Sequence, residues 1–487
     1  MTKKLSELLE AYNYSLITGK MDTVISSVCF DSRKVEKGSL FIAVPGTKTD
    51  GHDFIDKAVS SGAVAVICKF VPSDIVSGIT YIKVENTAEA LGWVASAFYD
   101  NPSRKLKLVG ITGTNGKTTT VTLLYQLFKK LGFKTGLLST VINYIHETPV
   151  ETTHTTPDSL TINKLLHEMV QQGCSYCFME VSSHSVVQNR IAGLLFAGGV
   201  FSNLTHDHLD FHKSFDEYLK AKKEFFDKLT IGSFALVNKD DKNGMVMVQN
   251  TVANVYTYAL KSMADFKARI IEKHFEGMLL NINGIEIWTH FIGLFNAYNL
   301  LAVYSTASLL FKDESQILTV LSTLVPVTGR FECVRSGKGI LAIIDYAHTP
   351  DAIGNVLSTI RELTEGTPAK VITVVGAGGD RDKTKRPEMA RIAYTNSDTL
   401  ILTSDNPRTE EPSAILNDMT DGLSYKESLN TLVITDRREA IRTASRMAGP
   451  GDIILIAGKG HETYQEINGV KYHFSDREEI EKIFEFI

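Results

Sequence analysis

Residues 111–119 combine glycine, lysine and threonine in an order that could bind phosphate. The candidate phosphate-binding residues of the segment Ile111–Thr119 are Gly113, Thr114, Asn115, Gly116, Lys117, Thr118 and Thr119. The glycines would let backbone N–H groups approach an anion, Lys117 would reach the outer phosphates, and the Thr118 hydroxyl would bind Mg²⁺. The usual pattern has a further glycine at the place of Ile111, so this loop is a variant of it.

Other polar groups downstream of this loop leave alternatives open. Glu180 lies at the end of the predicted strand Tyr176–Val181, next to its last residue, and it is either an oxygen ligand for Mg²⁺ or a polar group that faces solvent at a strand end. The segment His206–His212 carries three histidines and two aspartates. It indicates either zinc or a site for phosphate-bound Mg²⁺, and no Cys or His group at matched spacing supports zinc.

Four polar segments in the last third of the chain each follow an apolar run that is typical of a strand. They are Asp345–Asp351, Gly376–Lys383, Asp405–Pro412 and Gly458–Glu462. Each alone could be a capped turn. Together they favour one binding cleft, because ligands of open α/β sheets gather where the strands end.

The elements that must position these residues alternate between strands and helices. The run Leu106–Ile111 predicts a strand before the phosphate loop, and Val121–Leu131 has helical apolar spacing. Such alternation predicts an α/β fold of mainly parallel sheets. We predict three domains: 1–102, then 103–330 with a central P-loop-type parallel sheet, then 331–487 with a Rossmann-like fold. A helix at Leu5–Tyr12 would open the first domain.

Composition limits the classes of protein that the chain can belong to. Its 487 residues suggest about three domains of ordinary size. The net charge of −5 gives no general affinity for nucleic acid or for anionic membranes. No apolar run approaches the ~20 residues of a membrane span, and the first residues lack a signal-peptide core. Five scattered cysteines argue against a disulfide framework. We therefore expect a cytoplasmic protein with no nucleic-acid or membrane partner.

Together these motifs resemble those of the Mur ligases, the ATP-dependent enzymes that build the peptide stem of bacterial peptidoglycan. The resemblance covers essentially the whole chain and follows the family's order. Its motifs are Thr112–Thr119, Glu180–His184, Asp207–Asp210, Gly293–Asn299, Gly329–Arg330, Asp345–His348 and Gly458–His461.

The chain resembles most the members that add the third stem residue to UDP-N-acetylmuramoyl-L-alanyl-D-glutamate. Two segments of this chain match the uridine nucleotide-binding part of those members: Asp31–Arg33, with Ser32 as a contact, and Val44–Gly51. The residues that match the muramoyl-peptide site are Thr155, Thr156, Ser182, Gln188 and Arg190. Arg190 would suit the carboxylates of that substrate.

The motif Asp405-Asn406-Pro407-Arg408 is the most discriminating one, since its arginine form goes with meso-diaminopimelate in this family. Arg408 could clamp the second carboxylate, which lysine lacks, with two charge-assisted hydrogen bonds. By resemblance, the amino-acid site also includes Arg381, Asp405, Asn406, Gly458 and Glu462. Glu462 would suit the ammonium group at the far end of the substrate.

The resemblance also implies the residues of the nucleotide and metal sites. Asn299, Arg330 and Asp345 would bind the adenine nucleotide between the second and third domains. Helical spacing alone places Lys222 on a solvated face, whereas the family pattern implies that Lys222 is carbamylated by CO₂ and becomes an anionic oxygen ligand. The implied metal ligands for two Mg²⁺ are Thr118, Glu180, His208 and Lys222, and the implied catalytic residues are Lys117, Lys222 and His208.

The implied reaction activates the free carboxylate of D-glutamate as an acyl phosphate, which the amine of the diamino acid then attacks. A monomer is the expected state. An L-lysine-adding sister ligase is the nearest alternative, and Arg408 argues against it. A folylpolyglutamate-type ligase lacks the N-terminal nucleotide-sugar domain. A P-loop NTPase switch would leave the polar segments of the third domain without a purpose.

Overall fold

The computed structural model describes residues 1–46, 49–152, 155–205, 212 and 214–485. Helices cover the faces of mainly parallel sheets, which confirms the predicted α/β fold class. Three larger sheets follow one another along the chain. Across the ranges described, no helix has the length and apolar character needed to cross a membrane.

The first unit is a small sheet covered by helices. Its strands are β1 (Lys3–Lys4), β2 (Ser15–Thr18), β3 (Val24–Ile25), β4 (Ser27–Cys29), β5 (Ser39–Ile42), β6 (Ala63–Cys68) and β7 (Thr80–Lys83). Its α-helices are Leu5–Leu8, Ile55–Ser60 and Thr87–Phe98, with 3₁₀ turns at Ser32–Lys34, Gly51–Phe54 and Pro102–Arg104. The sheet order is β2-β7-β6-β5-β4, in which the β2–β7 pair is antiparallel and the other pairs are parallel, and β1 and β3 form a separate antiparallel pair.

The second unit is built on a long sheet whose middle strands are parallel. Its strands are β8 (Lys107–Thr112), β9 (Thr135–Leu138), β10 (Asn143–Ile145), β11 (Thr148–Val150), β12 (Tyr176–Glu180), β13 (Gly198–Phe201), β14 (Phe234–Asn238), β15 (Asn254–Ala259), β16 (Phe266–His274), β17 (Gly277–Ile282) and β18 (Ile285–Thr289). Its α-helices are Lys117–Lys130, Ser159–Gln171, Ser183–Val187, Phe215–Asp227, Gly244–Met247, Leu294–Leu310 and Glu314–Ser322. The strand order is β11-β10-β9-β12-β8-β13-β14-β15-β16-β17-β18.

The position of β8 explains how this sheet can hold a ligand. β8 lies between β12 and β13 and runs parallel to both. The chain therefore continues to one side of β8 and later returns on the other side. Such a reversal leaves a crevice at the carboxyl ends of the strands, where ligands bind in open α/β sheets.

The helix after β8 is anchored by its apolar face. Val121, Leu124 and Phe128 are buried in the same core cluster as Phe178 of β12. The rings of Phe128 and Phe178 lie 5.1 Å apart. Burying one large apolar side chain contributes about 1.5–3 kcal/mol, so this face holds the start of the helix against the sheet.

The third unit is a parallel sheet with helices on both faces. Its strands are β19 (Glu332–Arg335), β20 (Leu341–Asp345), β21 (Val371–Val375), β22 (Thr399–Leu402), β23 (Thr431–Val433), β24 (Ile453–Ala457), β25 (Tyr464–Ile467) and β26 (Val470–His473). Its α-helices are Pro350–Thr364, Lys385–Thr395, Pro412–Thr420, Tyr425–Leu429, Arg437–Met447 and Asp476–Glu485. The order is β19-β20-β24-β21-β22-β23, with only β19 antiparallel, and β25 and β26 form a separate hairpin.

This order brings the four polar segments of the third unit together. The segments follow β20, β21, β22 and β24, which are neighbours and run in one direction. All four therefore leave the sheet at the same edge.

Candidate active site

The phosphate loop joins the carboxyl end of β8 to the helix Lys117–Lys130. Gly116 is the residue before that helix and has a φ of 85°, a left-handed conformation that glycine adopts without strain. A Cβ at Gly116 would clash with Oδ1 of Asn299. The helix thus begins at Lys117, earlier than predicted, and the N–H groups of its first turn lie beside the loop, as an anion site requires.

Asn203, just after β13, holds the shape of the loop. The backbone N–H of Thr114 donates to the Asn203 carbonyl at 2.8 Å, and the N–H of Asn115 donates to its Oδ1 at 2.9 Å. Thr118 and Thr119 lie buried in the first helical turn. The loop is therefore a preformed element, fixed by the neighbouring strand end.

Two lysine ammonium groups meet at one carbonyl of the loop. Lys117 Nζ donates to the carbonyls of Gly113 and Thr114, both at 2.8 Å. Lys222 Nζ donates to the same Gly113 carbonyl at 2.8 Å and lies 4.6 Å from the centre of the Tyr218 ring. Like charges at one carbonyl repel each other, and an anion bound there would reduce that repulsion.

Lys222 and its neighbour Lys223 have different surroundings on the helix Phe215–Asp227. Lys222 is only 1% exposed, whereas Lys223 donates to Asp227 of the next turn at 2.6 Å. The solvated face that helical spacing predicts for Lys222 is therefore wrong. The helix turns Lys222 inward because the residues on the same face, Tyr218 and Phe225, are buried.

Glu180 is a buried carboxylate beside the start of the phosphate loop. It ends β12, where it pairs in register with Ile111 of β8, and it has no exposed surface. Thr140 donates to it twice, from its backbone N–H at 2.8 Å and from its hydroxyl at 3.2 Å. A polar strand end that faces solvent is thus excluded, and an oxygen ligand for a cation fits this position.

Two of the predicted muramoyl-site threonines lie beside the same strand end. The hydroxyl of Thr156 donates to the Glu180 carbonyl at 2.8 Å, and the Ser182 N–H donates to that hydroxyl at 3.2 Å. The hydroxyl oxygens of Thr140 and Thr155 lie 3.1 Å apart, within hydrogen-bond distance. The structure therefore places these residues directly beside Glu180.

Arg190 lies in the same group. Its Nη1 donates to the Thr156 carbonyl at 2.7 Å, and its Nε donates to Gln188 Oε1 at 2.9 Å. Burial lowers the pKa of the Arg190 guanidinium. A carboxylate bound there would favour its charged form.

Arg330 connects the end of the second unit to the phosphate loop. Its Nη2 donates to the Thr118 hydroxyl at 3.3 Å, and its guanidinium lies 4.5 Å from the centre of the Tyr346 ring. Asp345 accepts hydrogen bonds from the N–H groups of Phe331 and Ala347, both at 2.7 Å. Burial raises the pKa of Asp345, while Arg330 opposes that shift.

A histidine and an aspartate complete this junction. The His461 ring lies 5.1 Å from the Tyr346 ring, and burial lowers the pKa of His461 to about 3, with Arg330 adding to the effect. Asp351 accepts hydrogen bonds from the Asn115 amide at 2.8 Å and from the Thr205 hydroxyl at 3.3 Å. The third unit thus touches the phosphate loop directly.

Arg408 is held in an unusual backbone conformation at the edge of the third sheet. Its φ of 54° lies in the left-handed region, which costs about 1 kcal/mol or more for a residue with a side chain. The β25–β26 hairpin holds it there: Arg408 N–H donates to the Glu466 carbonyl at 3.0 Å, and Asn468 N–H donates to the Arg408 carbonyl at 2.7 Å. Backbone strain of this kind is typical of ligand sites.

The guanidinium of Arg408 lies over the glycines that follow β21. Its Nη1 donates to the Gly379 carbonyl at 2.6 Å. A Cβ at Gly378 would lie 2.9 Å from that Nη1 and 3.7 Å from Cγ of Arg381. The loop therefore brings both arginines to the same place, and the carbonyl of Pro407 packs against Gly379.

The other residues predicted for the amino-acid site lie around Asn406. Its amide Nδ2 donates to Glu462 Oε2 at 2.7 Å, and Gly458 lies against the carboxylate of Asp405. The Gln465 side chain donates to the Asp405 carbonyl at 2.7 Å. Loops after β22 and β24 thus form one cluster with acidic and amide groups.

Ser32 belongs to the first unit and lies on a different sheet. It begins a 3₁₀ turn after β4, next to Asp31, and the guanidinium of Arg33 lowers the pKa of Asp31 to about 2. His208 lies outside the described residues, as do most members of the segment His206–His212. His212 is described, and its Nε2 lies 2.8 Å from the Ser183 hydroxyl. In the described part of the chain, no three His, Cys, Asp or Glu side chains gather as a metal-binding group.

Family models match most of the chain. The match to "Mur ligase family, catalytic domain" covers residues 24–99, the match to "Mur ligase middle domain" covers 111–307, and the match to "Mur ligase, glutamate ligase domain" covers 329–460. A protein of Bacteroides thetaiotaomicron is 57% identical over 480 residues, or 99% of both chains. The chain belongs to the Mur ligase family.

Other relatives of this Mur ligase agree with that match. The Bacteroides protein is named UDP-N-acetylmuramoyl-L-alanyl-D-glutamate–2,6-diaminopimelate ligase. A Cytophaga hutchinsonii protein of the same name is 58% identical over 97% of both chains, and one from Clostridium tetani is 42% identical over 99% of both.

A solved structure of a protein with that name has a TM-score of 0.70 and 31% identity, and the match covers 100% of this chain and 99% of the other. A MurF ligase from Thermotoga maritima, solved in complex with ADP, has a TM-score of 0.60 at 20% identity and shares the fold.

Several contacts of this Mur ligase were not found from its sequence. Thr140 orients Glu180, Asp351 bonds to the phosphate loop, and the β25–β26 hairpin supports Arg408. Lys459 lies inside the motif Gly458–His461, and the sequence pattern alone indicates no role for it. Its place between two glycines after a buried strand was the available signal.

Proposed function

We propose that this Mur ligase is an ATP-dependent amide ligase that joins meso-diaminopimelate to UDP-N-acetylmuramoyl-L-alanyl-D-glutamate. The relatives at 57–58% identity are named for this reaction with 2,6-diaminopimelate. The observation that carries the choice of amino acid is the side chain of Arg408, supported by the hairpin and placed beside Arg381.

The chemistry of Arg408 suits a substrate with a second carboxylate. A guanidinium can donate two parallel hydrogen bonds to one carboxylate, which lysine does not carry at its far end. With lysine bound, the partly buried guanidinium would lose that partner, and an unmet polar group costs about 1–3 kcal/mol. Glu462 would accept hydrogen bonds from the distal ammonium group.

In the first step, the D-glutamate carboxylate attacks the γ-phosphorus of ATP, and ADP leaves with the electrons of the broken P–O bond. We propose that Lys117 and the N–H groups after Gly116 stabilise the charge on the transferred group. Arg190 would hold the muramoyl peptide through its carboxylates. Asn299, Arg330 and Asp345 would bind the adenine nucleotide at the junction of the second and third units.

The oxygen groups near the loop fit Mg²⁺, because Thr118 and Glu180 are buried and close to the phosphate-binding segment. Mg²⁺, when bound, neutralises phosphate charge. We propose that Thr118, Glu180, Lys222 and His208 would hold it. Reaction of the neutral Lys222 amine with CO₂, with loss of a proton, would give a carbamate. This would replace one of the two ammonium groups at the Gly113 carbonyl by an anion.

In the second step, the amine of the diamino acid attacks the carbonyl carbon of the acyl phosphate. A C–N bond forms, the amine loses a proton, and inorganic phosphate leaves. The third unit carries the proposed amino-acid site and touches the phosphate loop through Asp351 and Arg330. This contact supports a shared site for the two steps, shielded from water.

An L-lysine-adding ligase is the second candidate, and the placement of Arg408 favours diaminopimelate over it. A P-loop NTPase switch would leave the amino-acid cluster without a purpose. The three domain limits 1–102, 103–330 and 331–487 stay predictions, as do the cytoplasmic location, the monomeric state and the lack of nucleic-acid or membrane partners.

The test is a phosphate-release assay in which each substrate is omitted in turn. We expect turnover only with ATP, UDP-N-acetylmuramoyl-L-alanyl-D-glutamate and meso-diaminopimelate together, and a product whose mass is that of the UDP-tripeptide. Steady phosphate release without the muramoyl dipeptide or without any amino acid would contradict the ligase.

A further inference from the structure

Lys459 is a fully buried cation within the amino-acid cluster. It lies between Gly458 and Gly460 after β24 and has 0% exposure. Its Nζ donates to Glu462 Oε2 at 3.0 Å and to Asn406 Oδ1 at 3.2 Å, and it lies 4.0 Å from Asp405 Oδ1. A buried ammonium group is retained only with such partners, since its desolvation is costly.

These bonds determine the orientation of the Asn406 amide. Oδ1 of Asn406 accepts from Lys459 and also from the Glu466 N–H at 2.9 Å. Because lysine has donors only, Oδ1 must face it. The amide Nδ2 then faces Glu462 and donates to its Oε2 at 2.7 Å.

The same bonds leave one oxygen of Glu462 for a ligand. Both Lys459 and Asn406 donate to Oε2. Among the hydrogen bonds of the described residues, none reaches Oε1. The carboxylate is thus held by one oxygen while the other can accept a hydrogen bond from an ammonium group.

Lys459 also adjusts the charge of the cluster. Asp405 and Glu462 are two carboxylates, and the ammonium of Lys459 leaves the group with one negative charge. One distal ammonium group of a substrate would balance it. Without Lys459, the carboxylates of Asp405 and Glu462 would lose the cation that lies between them.

We propose that Lys459 is a positioning residue for the diamino-acid substrate, acting by orienting Glu462 and Asn406 toward the distal ammonium group. This inference rests on the proposed function and extends it to a residue that makes no contact of its own with the reacting atoms.

The test compares Lys459→Met, Lys459→Gln and Lys459→Arg with the wild-type enzyme. For each we would measure KM for meso-diaminopimelate, for ATP and for the muramoyl dipeptide, together with kcat and the melting temperature. We expect Lys459→Met to raise KM for diaminopimelate about tenfold or more, with the other two KM values within about twofold. Lys459→Arg, which keeps the charge, should raise KM for diaminopimelate less than Lys459→Met does. The KM of Lys459→Gln should lie between those of the Arg and Met variants.

Arg361→Met is the matched control for loss of a structural cation. Arg361 lies in the same unit at the opposite edge of the sheet, where it donates to the Asn396 carbonyl and to Asp398, both at 2.9 Å. We expect it to lower the melting temperature without a selective change in any KM.

An equal change in all three KM values for the Lys459 variants, or a lower melting temperature alone, would overturn the inference. If Lys459→Met does not fold, the Gln and Arg variants decide by the same criterion. Failure of the proposed function would give a different result from failure of this inference. In that case the wild-type enzyme itself would show no turnover that depends on diaminopimelate.

Discussion

The phosphate loop and the amino-acid cluster are built in opposite ways. The loop is one continuous segment, Ile111–Thr119, between a strand and a helix. The cluster is assembled from loops after β21, β22 and β24 and is supported by the β25–β26 hairpin. A local site is visible as a sequence motif, whereas a site assembled from distant segments is visible only as several separate turns.

The two regions also differ in charge. The loop gathers the cations Lys117, Lys222 and Arg330, which suit a polyanion. The cluster combines Arg408 with Glu462 and Asp405, which suits a ligand with both charges. Changes at the loop should therefore stop the reaction with any amino acid, and changes at the cluster should act on the amino acid alone.

The largest effect is expected from Lys222→Ala. We expect kcat to fall about 1,000-fold or more, whichever amino acid is offered, because the loop loses the residue proposed to become a metal ligand. The measurement is phosphate release at saturating substrates. Lys223→Ala is the control, since Lys223 pairs with Asp227 of the next helical turn. Equal losses in the two variants would contradict the role of Lys222.

Arg408→Ala tests the amino-acid cluster. We expect kcat/KM for meso-diaminopimelate to fall about 100-fold, since a charge-assisted clamp is worth about 1.5–3 kcal/mol. The KM for ATP should stay unchanged. Arg442→Ala is the control, because Arg442 pairs with Glu439 on a surface helix of the same unit. A matching rise in the KM for ATP would show that the two regions are not separable.

The junction between the two regions should make the protein less stable at acidic pH. His461 has an ordinary pKa of 6.5, which burial lowers to about 3 in the folded protein. As the pH falls, His461 therefore binds a proton in the unfolded chain before it does so in the folded protein. The stability that the neutral His461 contributes is present above pH 6.5 and is lost as the pH falls below it. We expect a loss of about 2 kcal/mol from pH 6.5 to 5.

Denaturant unfolding at several pH values measures this effect. His461→Gln, which carries no titratable group, should lose less stability over the same range than the wild-type protein. Identical pH dependence in the two proteins would show that His461 does not titrate in this way.

The smallest effect is expected from Glu466→Gln. Glu466 Oε2 lies 3.8 Å from Arg408 Nε and competes loosely for the guanidinium. A pair at this distance is worth less than about 1 kcal/mol, so KM for meso-diaminopimelate should fall about two- to fivefold. Isothermal titration with meso-diaminopimelate should likewise give a lower dissociation constant for Glu466→Gln than for the wild-type enzyme. A higher KM would mean that Glu466 holds Arg408 in place instead of competing for it.

The fold class and the course of the main strands were predictable because alternation of apolar runs is a local property. The strand predicted at Leu106–Ile111 is found at Lys107–Thr112. The first helix was predicted to reach Tyr12 but ends at Leu8, because the backbone of Leu9 leaves helical geometry. The antiparallel strands β16–β18 and the β25–β26 hairpin were not predicted, because their exposed residues weaken the apolar pattern.

The site was predictable where a motif is continuous, and through the family resemblance where it is not. The inward orientation of Lys222 could not be read from spacing, because which helix face is buried depends on the sheet below it. Thr140, Asp351 and Lys459 were missed for a similar reason. Thr140 and Asp351 act through partners that are distant in sequence, and Lys459 acts through the distant Asn406 as well as the nearby Glu462. A single sequence carries no sign of such distant pairs.

The most direct test of the account is a side-by-side measurement of kcat/KM for meso-diaminopimelate, L-lysine and L-ornithine with the wild-type enzyme, ATP and UDP-N-acetylmuramoyl-L-alanyl-D-glutamate. Diaminopimelate should be preferred by about 100-fold or more, because only it offers Arg408 a second carboxylate at its far end. An equal or greater kcat/KM for L-lysine would contradict it.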